Sequence, residues 1–264
     1  MIMIKTSIGT IPLWQFELFT KQATIQHFIS GREGGFSNGE FGSLNLSYMV
    51  GDDTSLVLKN RSAIANAFGI EVSKFIIPTQ THTNTCKIIT SATKQEELEN
   101  VDAVITNEKG ILIAVMSADC VPILLYDQEK QVVAAVHAGW RGTVAEILKK
   151  TVETMQHSFG SNTTSIIAGI GPSISDEVYE VGEEVMKGVD KVYGTMEGII
   201  SNEKNGKGFC NLWEANRIQL LKLGVKEENI EVAGICTYSN SSDFFSYRKF
   251  GTKAGRFAAG IMLT

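Results

Sequence analysis

Between residues 103 and 137 the chain runs through short apolar stretches parted by polar breaks: AVIT, ILIAVM, VPILLY and QVVAAV, all rich in Val and Ile. Their length and β-branched content predict strands at the centre of a sheet. Beyond them Val144, Ile147, Leu148, Val152, Met155 and Phe159 recur at helical spacing as far as Gly160, so a helix is expected directly after HAGWRG. A further strand over 165–169 leads into GPSI, and a helix over 212–223 stops at Gly224. Upstream, Asp52-Asp53-Thr54 offers caps for a helix whose apolar side is Val57, Ile64 and Phe68 and whose stop is Gly69. A short strand over 75–77 then enters the polar segment PTQTHTNT. The segment GREGGFSNGEFG, over 31–42, reads as a long loop whose backbone comes close to something, or simply as a cluster of turns.

Strands outnumber helices and several follow one another at hairpin distance. The expected fold is therefore α+β, with mixed α/β layers: one domain over 1–264, its largely mixed or antiparallel central sheets covered by helices. There is no repeat. AGIGPSIS lacks the third glycine of a dinucleotide-binding turn and places Pro172 where a helix should begin.

Composition narrows the function. A hydrophobic fraction of 43% with 20% charged residues supplies an ample core. The formal charge of -5, with no run of Lys or Arg, argues against nucleic acid or an anionic membrane as partner and for a small substrate. Four irregularly spaced cysteines do not make a disulfide framework, so reduced thiols and a cytoplasmic location are expected. The opening MIMIKTSIGT lacks the basic region and long apolar core of a secretion signal, and no apolar run spans a bilayer.

The chemistry centres on VPILLYD and QVVAAVH. If these strands form a hairpin with a two- or four-residue loop, Tyr126 pairs with Gln131, and counting outward sets Cys120 opposite His137. Opposed residues share a face with Cβ atoms roughly 4.5–5.5 Å apart, from which a thiolate and an imidazole reach one metal ion. His82, in QTHTNT, suits an exposed loop above the same point and would complete a three-ligand set whose fourth position is open to water or substrate. The plain alternative for a lone Cys or His in an apolar strand is a packed core residue. That reading is taken for Cys86, Cys236, His27 and His157. Cys120 differs because Ser117 and Asp119 interrupt the apolar runs beside it.

The stretches SADCVPILLYD and VVAAVHAGWRGT, with GREGGFS, SLNL, VGDD, Asn60-Arg61, QTHT, VDAVIT, GIGPSI, FFSYRK and GRFAA, closely resemble a widespread bacterial family first labelled laccase-domain or polyphenol oxidase proteins and now regarded as purine nucleoside phosphorylases with adenosine deaminase activity. The resemblance covers nearly the whole chain. It implies zinc on His82, Cys120 and His137. It also implies phosphorolysis of adenosine, inosine, guanosine and methylthioadenosine to base and ribose 1-phosphate, and conversion of adenosine to inosine. Purine nucleoside and phosphate are then the partners, and Arg32, Asn45, Gln80 and Arg248 stand in the matching motifs as candidate substrate-binding residues. Gly31 and Lys249 stand where many members carry Thr and a second Arg, and Asn211 replaces a common Asp.

On physical grounds Arg32 with the glycine-loop amides, and Arg248, are candidates for an anion site, the alternative being surface arginines in turns. Asp119 and a water on the metal are the groups to nominate for leaving-group protonation, beside Cys120 and His137. Several coppers would need more imidazole than four histidines provide, although a single copper on the same set is conceivable in vitro. Two other readings stay open. One is a metal-free hydrolase with Cys120 as nucleophile and His137 as base, and the other is a metal-carrying or partner-binding protein without turnover. Oligomeric state is not legible.

Overall fold

The computed structural model describes residues 3–9 and 11–264. The opening segment read above for a leader therefore lies partly outside the described residues. Strands fall into two six-stranded sheets and a three-stranded one. The first sheet runs, in spatial order, Ile4–Ile8, Ile11–Gln15, Ile25–Ser30, Phe257–Leu263, Leu112–Ser117 and Phe75–Ile76, antiparallel except at the last pairing. The second runs Ile230–Val232, Ile166–Ile170, Val121–Asp127, Val132–Ala138, Ala103–Thr106 and Cys86–Ile88, antiparallel inside and parallel at both margins.

The sheets pack face to face. Ile29, Ile113, Val115, Phe257, Ala259 and Ile261 from one meet Val104, Leu124, Tyr126, Val133, Ala135 and Ile167 from the other. The outer face of the first sheet is covered by the Thr54–Ala67 helix through Ile64 and Ala65. That of the second is covered by the Ile147–Phe159, Glu183–Tyr193 and Leu212–Lys222 helices. The mixed α/β layering is thus as expected. The apolar runs of 103–137 are not the centre of one sheet, however, because Leu112–Ser117 belongs to the first sheet and the other three strands to the second. The central strands of each sheet are covered on both faces, so they read as unbroken apolar runs that carry no mark of their sheet.

The hairpin register also differs from the count. Tyr126 pairs with Val133 and His137 with Pro122, so Cys120 is not opposite His137. The reason is Asp127, which stays in the strand. Its Oδ1 accepts from the Glu129 and Lys130 amides at 2.9 and 3.2 Å and from Ser165 Oγ at 2.8 Å, while Gln131 closes the loop at φ 53°. The slip is an even number of residues, so Cys120 and His137 still lie on one side of the sheet.

The expected helix over 144–159 begins earlier and is broken. A short helix, Trp140–Val144, starts inside GWRG, and the chain turns at Glu146, φ 57°, before Ile147–Phe159. Asn84 Nδ2 donates to the Ala145 carbonyl at 3.1 Å at that break. The cap at Asp53, whose carboxylate accepts from the Ser55 amide, and the stops at Gly69, Gly160 and Gly224, all with positive φ, fall where expected. Among described residues no helix is long and apolar enough to cross a membrane.

Cys236 and His27 are buried as expected, and Cys86 is half-buried with its thiol pushed up to about 11 by burial. His157 is not a core residue. It is exposed in the last turn of its helix. His27 lies against the Phe16 and Phe19 rings, and its Nε2 accepts from the Phe16 amide at 2.8 Å. Burial lowers its pKa from 6.5 to about 3. The unfolded chain therefore binds one proton more than the native protein between those values, and stability rises with pH across that window. Below pH 6.5 stability should fall by about 1.4 kcal/mol per pH unit from this residue alone. Denaturant unfolding from pH 7 to 4 should show a shallower slope in His27→Gln; an unchanged slope would contradict the assignment.

Candidate active site

Three side chains converge where the layer between the sheets opens. Cys120 immediately precedes the Val121–Asp127 strand, His137 is the last residue but one of the neighbouring Val132–Ala138 strand, and His82 sits on the loop after Phe75–Ile76. Their ligand atoms all lie within 4.8 Å of one another. Cys120 Sγ is 3.8 Å from His82 Nε2, and the two imidazole rings stand edge to face with centroids 5.0 Å apart. His82 is exposed, Cys120 half-buried and His137 buried, so the set opens toward solvent on the His82 side.

The surrounding chain is shaped for this. Cys120 follows Asp119, whose φ of 103° is rare for a residue with a side chain. That turn is pinned on every side. Ser117 Oγ donates to the Cys120 carbonyl at 2.5 Å, the Ile174 amide donates to the Asp119 carbonyl at 3.0 Å, and the Asp119 carboxylate accepts from Thr237 Oγ1 at 2.7 Å and the Arg248 amide at 2.6 Å. Gly139 faces the cysteine, and a Cβ there would sit 2.7 Å from Cys120 Sγ and 3.2 Å from His82 Cδ2. Under the site, Asp102 Oδ1 accepts from His137 Nδ1 at 2.8 Å, and both its oxygens accept from the 81–83 loop.

Burial by itself would raise the Cys120 thiol, but the charge and hydrogen bond of His137, with help from His82, draw it down to about 6. Burial would lower His137, yet the Cys120 thiolate and Asp102 hold it up at about 9. Burial would raise Asp102 as well, and the His137 contact with the Thr83 bonds takes it down to about 2. A thiolate and a carboxylate thus bracket one imidazole, and a divalent cation can take over the charge that its proton supplies. Two nitrogens and a thiolate around one point, with solvent on the remaining side, fit zinc with an open position.

The set opens into a cavity of about 1030 Å³. From the helices beginning at Trp140 and Leu212 come those two residues, from the connection after Ile166–Ile170 come Ile174 and Tyr179, and from the other side Ser47, Tyr48, Phe75, Gln80 and Met116. Three guanidiniums, those of Arg61, Arg248 and Arg256, also line it. Among described residues none of them forms a salt bridge. Arg61 donates to the Leu46 carbonyl at 2.8 Å and covers the Tyr48 ring, and burial holds its pKa down at about 10. Arg256 donates to the Ala254 and Gly255 carbonyls and is likewise lowered by burial. Arg248 lies over the Tyr179 ring.

Of the residues singled out from the sequence, His82, Cys120, His137, Asp119, Gln80 and Arg248 line this cavity. Gln80 does so while clasping Met116, its amide nitrogen donating to the Met116 carbonyl and its oxygen accepting from the Met116 amide. Arg32 and Asn45 do not line it. Arg32 donates to the Gly42 and Ser241 carbonyls and stacks on Phe245, bracing the glycine loop, and Asn45 is buried, bonded to Ser47, Asp52 and the Arg256 amide. Lys249 also braces, through Tyr238 and Ser241, and Asn211 caps its helix by accepting from the Glu214 amide. Gly31 fills a close approach, since a Cβ there would lie 2.7 Å from the Trp14 ring. Arg61 and Arg256 are the cavity residues that sequence reasoning passed over. Their signal was present, as both stand inside motifs of the resemblance, Asn60-Arg61 and GRFAA.

Residues 26–264 match the family described as multi-copper polyphenol oxidoreductase laccase. A purine nucleoside phosphorylase of Bacteroides thetaiotaomicron is 40% identical over 256 residues, covering 94% of this chain and 95% of that protein. Adenosine deaminase RL5, from an unknown prokaryotic organism, is 37% identical over 229 residues, covering 84% and 87%. The crystal structure of the hypothetical protein YfiH of Bacillus licheniformis superposes with a TM-score of 0.92 at 27% identity, covering 98% of this chain and 99% of that one.

Gly139 isolates the site from the fold. Its φ of -68° is open to alanine, so Gly139→Ala should leave the metal-free protein melting within about 4 °C of wild type, a change on the order of 1 kcal/mol. The added methyl intrudes between Cys120 and His82, so zinc content after dialysis should drop to a small fraction of the wild-type value. Wild-type zinc content in that variant would contradict the placement of the ion.

Proposed function

The chain belongs to the multi-copper polyphenol oxidoreductase laccase family, and from this and the site we propose that it is a zinc-dependent purine nucleoside phosphorylase that also deaminates adenosine. The observation that carries the reading is the junction of a His82, Cys120, His137 set with a cavity whose three guanidiniums have no carboxylate partner among the described residues. Arg61 and Arg256 are half-buried and Arg248 is exposed; a guanidinium partly withdrawn from water without a counter-charge is costly, and a bound phosphate supplies that charge through paired hydrogen bonds. Neither phenol oxidation nor simple metal storage calls for such groups.

The elements divide the work. Arg61 and Arg256, on the side of the first sheet, would hold phosphate for attack on the ribose carbon, with Arg248 at the opposite wall. Trp140, Ile174, Tyr179 and Leu212 give an apolar wall for a flat purine beside the ligand set. When bound, zinc would supply a Lewis acid that polarises an oxygen or activates water. Asp119, with two donors already on its carboxylate, is better suited to ordering the Arg248 main chain at the cavity wall than to giving a proton. Copper on the same ligands is compatible with the donor set, but the remaining histidines, His27 and His157, lie on the first sheet and at a helix end, so further coppers find no imidazole there.

One observation favours a second reading. A Cys120 thiol drawn down to about 6 beside His137 is also the nucleophile of a metal-free hydrolase. Zinc analysis and a chelator separate the two, because a metal-free hydrolase would keep its activity without zinc.

For the proposed enzyme, release of hypoxanthine from inosine should require phosphate and track zinc content across preparations. Chelation, His82→Ala and Cys120→Ala should each abolish both zinc and turnover while the fold persists by circular dichroism. Zinc-loaded protein inactive on every purine nucleoside would overturn the phosphorylase reading. Arg61→Met should raise the KM for phosphate about ten- to a hundredfold, the loss of one charge-assisted hydrogen bond of about 1.5–3 kcal/mol, with a smaller change in the KM for nucleoside. Equal effects on both would place phosphate elsewhere.

A further inference from the structure

We propose that Asp102 is the positioning residue of the metal centre, a single carboxylate that sets which nitrogen of His137 faces the metal and also fixes the backbone that carries His82. This rests on the zinc reading above and deepens it.

Asp102 is fully buried at the start of the Ala103–Thr106 strand. Five donors converge on its carboxylate. Oδ1 accepts from His137 Nδ1 at 2.8 Å and the His82 amide at 3.1 Å. Oδ2 accepts from the Thr83 amide at 2.7 Å, Thr83 Oγ1 at 2.8 Å and the Thr81 amide at 3.2 Å. Its main chain binds the same two segments, the Asp102 carbonyl accepting from the His137 amide at 2.7 Å and its own amide donating to the Thr85 carbonyl at 3.0 Å. The three successive amides of 81–83 form a concave anion cradle, and they reach one carboxylate because His82 adopts φ 63°.

Two consequences follow for the ligands. A carboxylate at His137 Nδ1 can only accept, so the ring keeps a proton there and Nε2 is the nitrogen left to face Cys120 and to be bared for a metal. The second concerns His82, an exposed loop residue that would otherwise sample many directions. Its backbone is tied through the same side chain to the strand that holds His137, and its Nε2 is held 3.8 Å from Cys120 Sγ. One residue thus orients both imidazoles relative to the thiolate without touching the metal.

An amide cannot replace it. Asparagine has one acceptor oxygen, and if that oxygen serves the 81–83 amides, its NH₂ faces His137 and forces the ring to accept at Nδ1, placing the proton on Nε2 where a metal ligand must be bare. A carboxylate that only anchored the loop would leave the tautomer of His137 and the metal's electronic spectrum unchanged.

The test uses zinc-loaded full-length protein. Ring ¹H–¹⁵N correlation spectra of the wild type should show His137 protonated at Nδ1 and ligated through Nε2, and this measurement needs no variant to fold. Asp102→Asn should bind zinc about ten- to a hundredfold more weakly in chelator competition. Its cobalt-substituted form should lose or shift the thiolate charge-transfer band. His137 ligated through Nδ1, or a folded Asp102→Asn with wild-type zinc affinity and cobalt spectrum, would overturn the proposal while leaving the zinc reading intact. A wild-type protein that takes up no zinc would overturn both.

Discussion

The site depends on the register of one hairpin. Asp127 holds the loop over 128–131 by accepting two amides and a serine hydroxyl, and this pairs Pro122 with His137 along the second sheet. A shift of one residue would turn Cys120 to the helix-covered face while His137 kept its own, and the two would no longer share a side. The same pairing carries Gly139 opposite Cys120, where only a hydrogen leaves room for the sulfur. A turn at one end of the hairpin thereby fixes the spacing of ligands at the other.

Around that hairpin the architecture keeps rigid and adjustable parts separate. The strands are buried on both faces, between sheets on one side and helices on the other, and hold Cys120 and His137 without help from a ligand. His82 arrives from a loop and is exposed, so its position comes from hydrogen bonds instead of packing. This division explains why an ion at the site is not expected to be structural: the core clusters are complete without it.

The sequence made the candidate ligands legible and the layers only partly so. Cys120 stood out because polar residues broke an apolar pattern, His137 through the hairpin pairing and His82 through its polar loop, and the even slip in register keeps Cys120 and His137 on one side. The division of 103–137 between two sheets was hidden, since Val, Ile and Ala buried on both faces show no alternation. The FAAGIML strand at the centre of the first sheet was obscured in the same way. The Glu183–Tyr193 helix and the sheet of Glu180–Gly182, Lys207–Cys210 and Ile200–Lys204 carry a more polar pattern and were not anticipated. Among candidate anion contacts, Arg32 looked right for its glycine-rich setting, but those glycines allow close backbone packing, and the guanidinium is spent on carbonyls. Whether an arginine braces a loop or faces a cavity depends on partners far away in sequence, which spacing does not record.

The family's name and the chain's donors point in different directions, and the donors are the firmer guide. An oxidase with several coppers needs clustered imidazoles, whereas here two of four histidines meet and the other two serve a buried backbone amide and a helix end. What the cavity has in excess is unpaired guanidinium, with Arg61 buried enough to be shifted down to about 10. That excess asks for an anion beside the His82, Cys120, His137 set. On the proposed reading phosphate as co-substrate would meet the demand, and one cavity would then join an electrophilic centre, a flat apolar wall and an anion site, the minimum that phosphorolysis of a nucleoside requires.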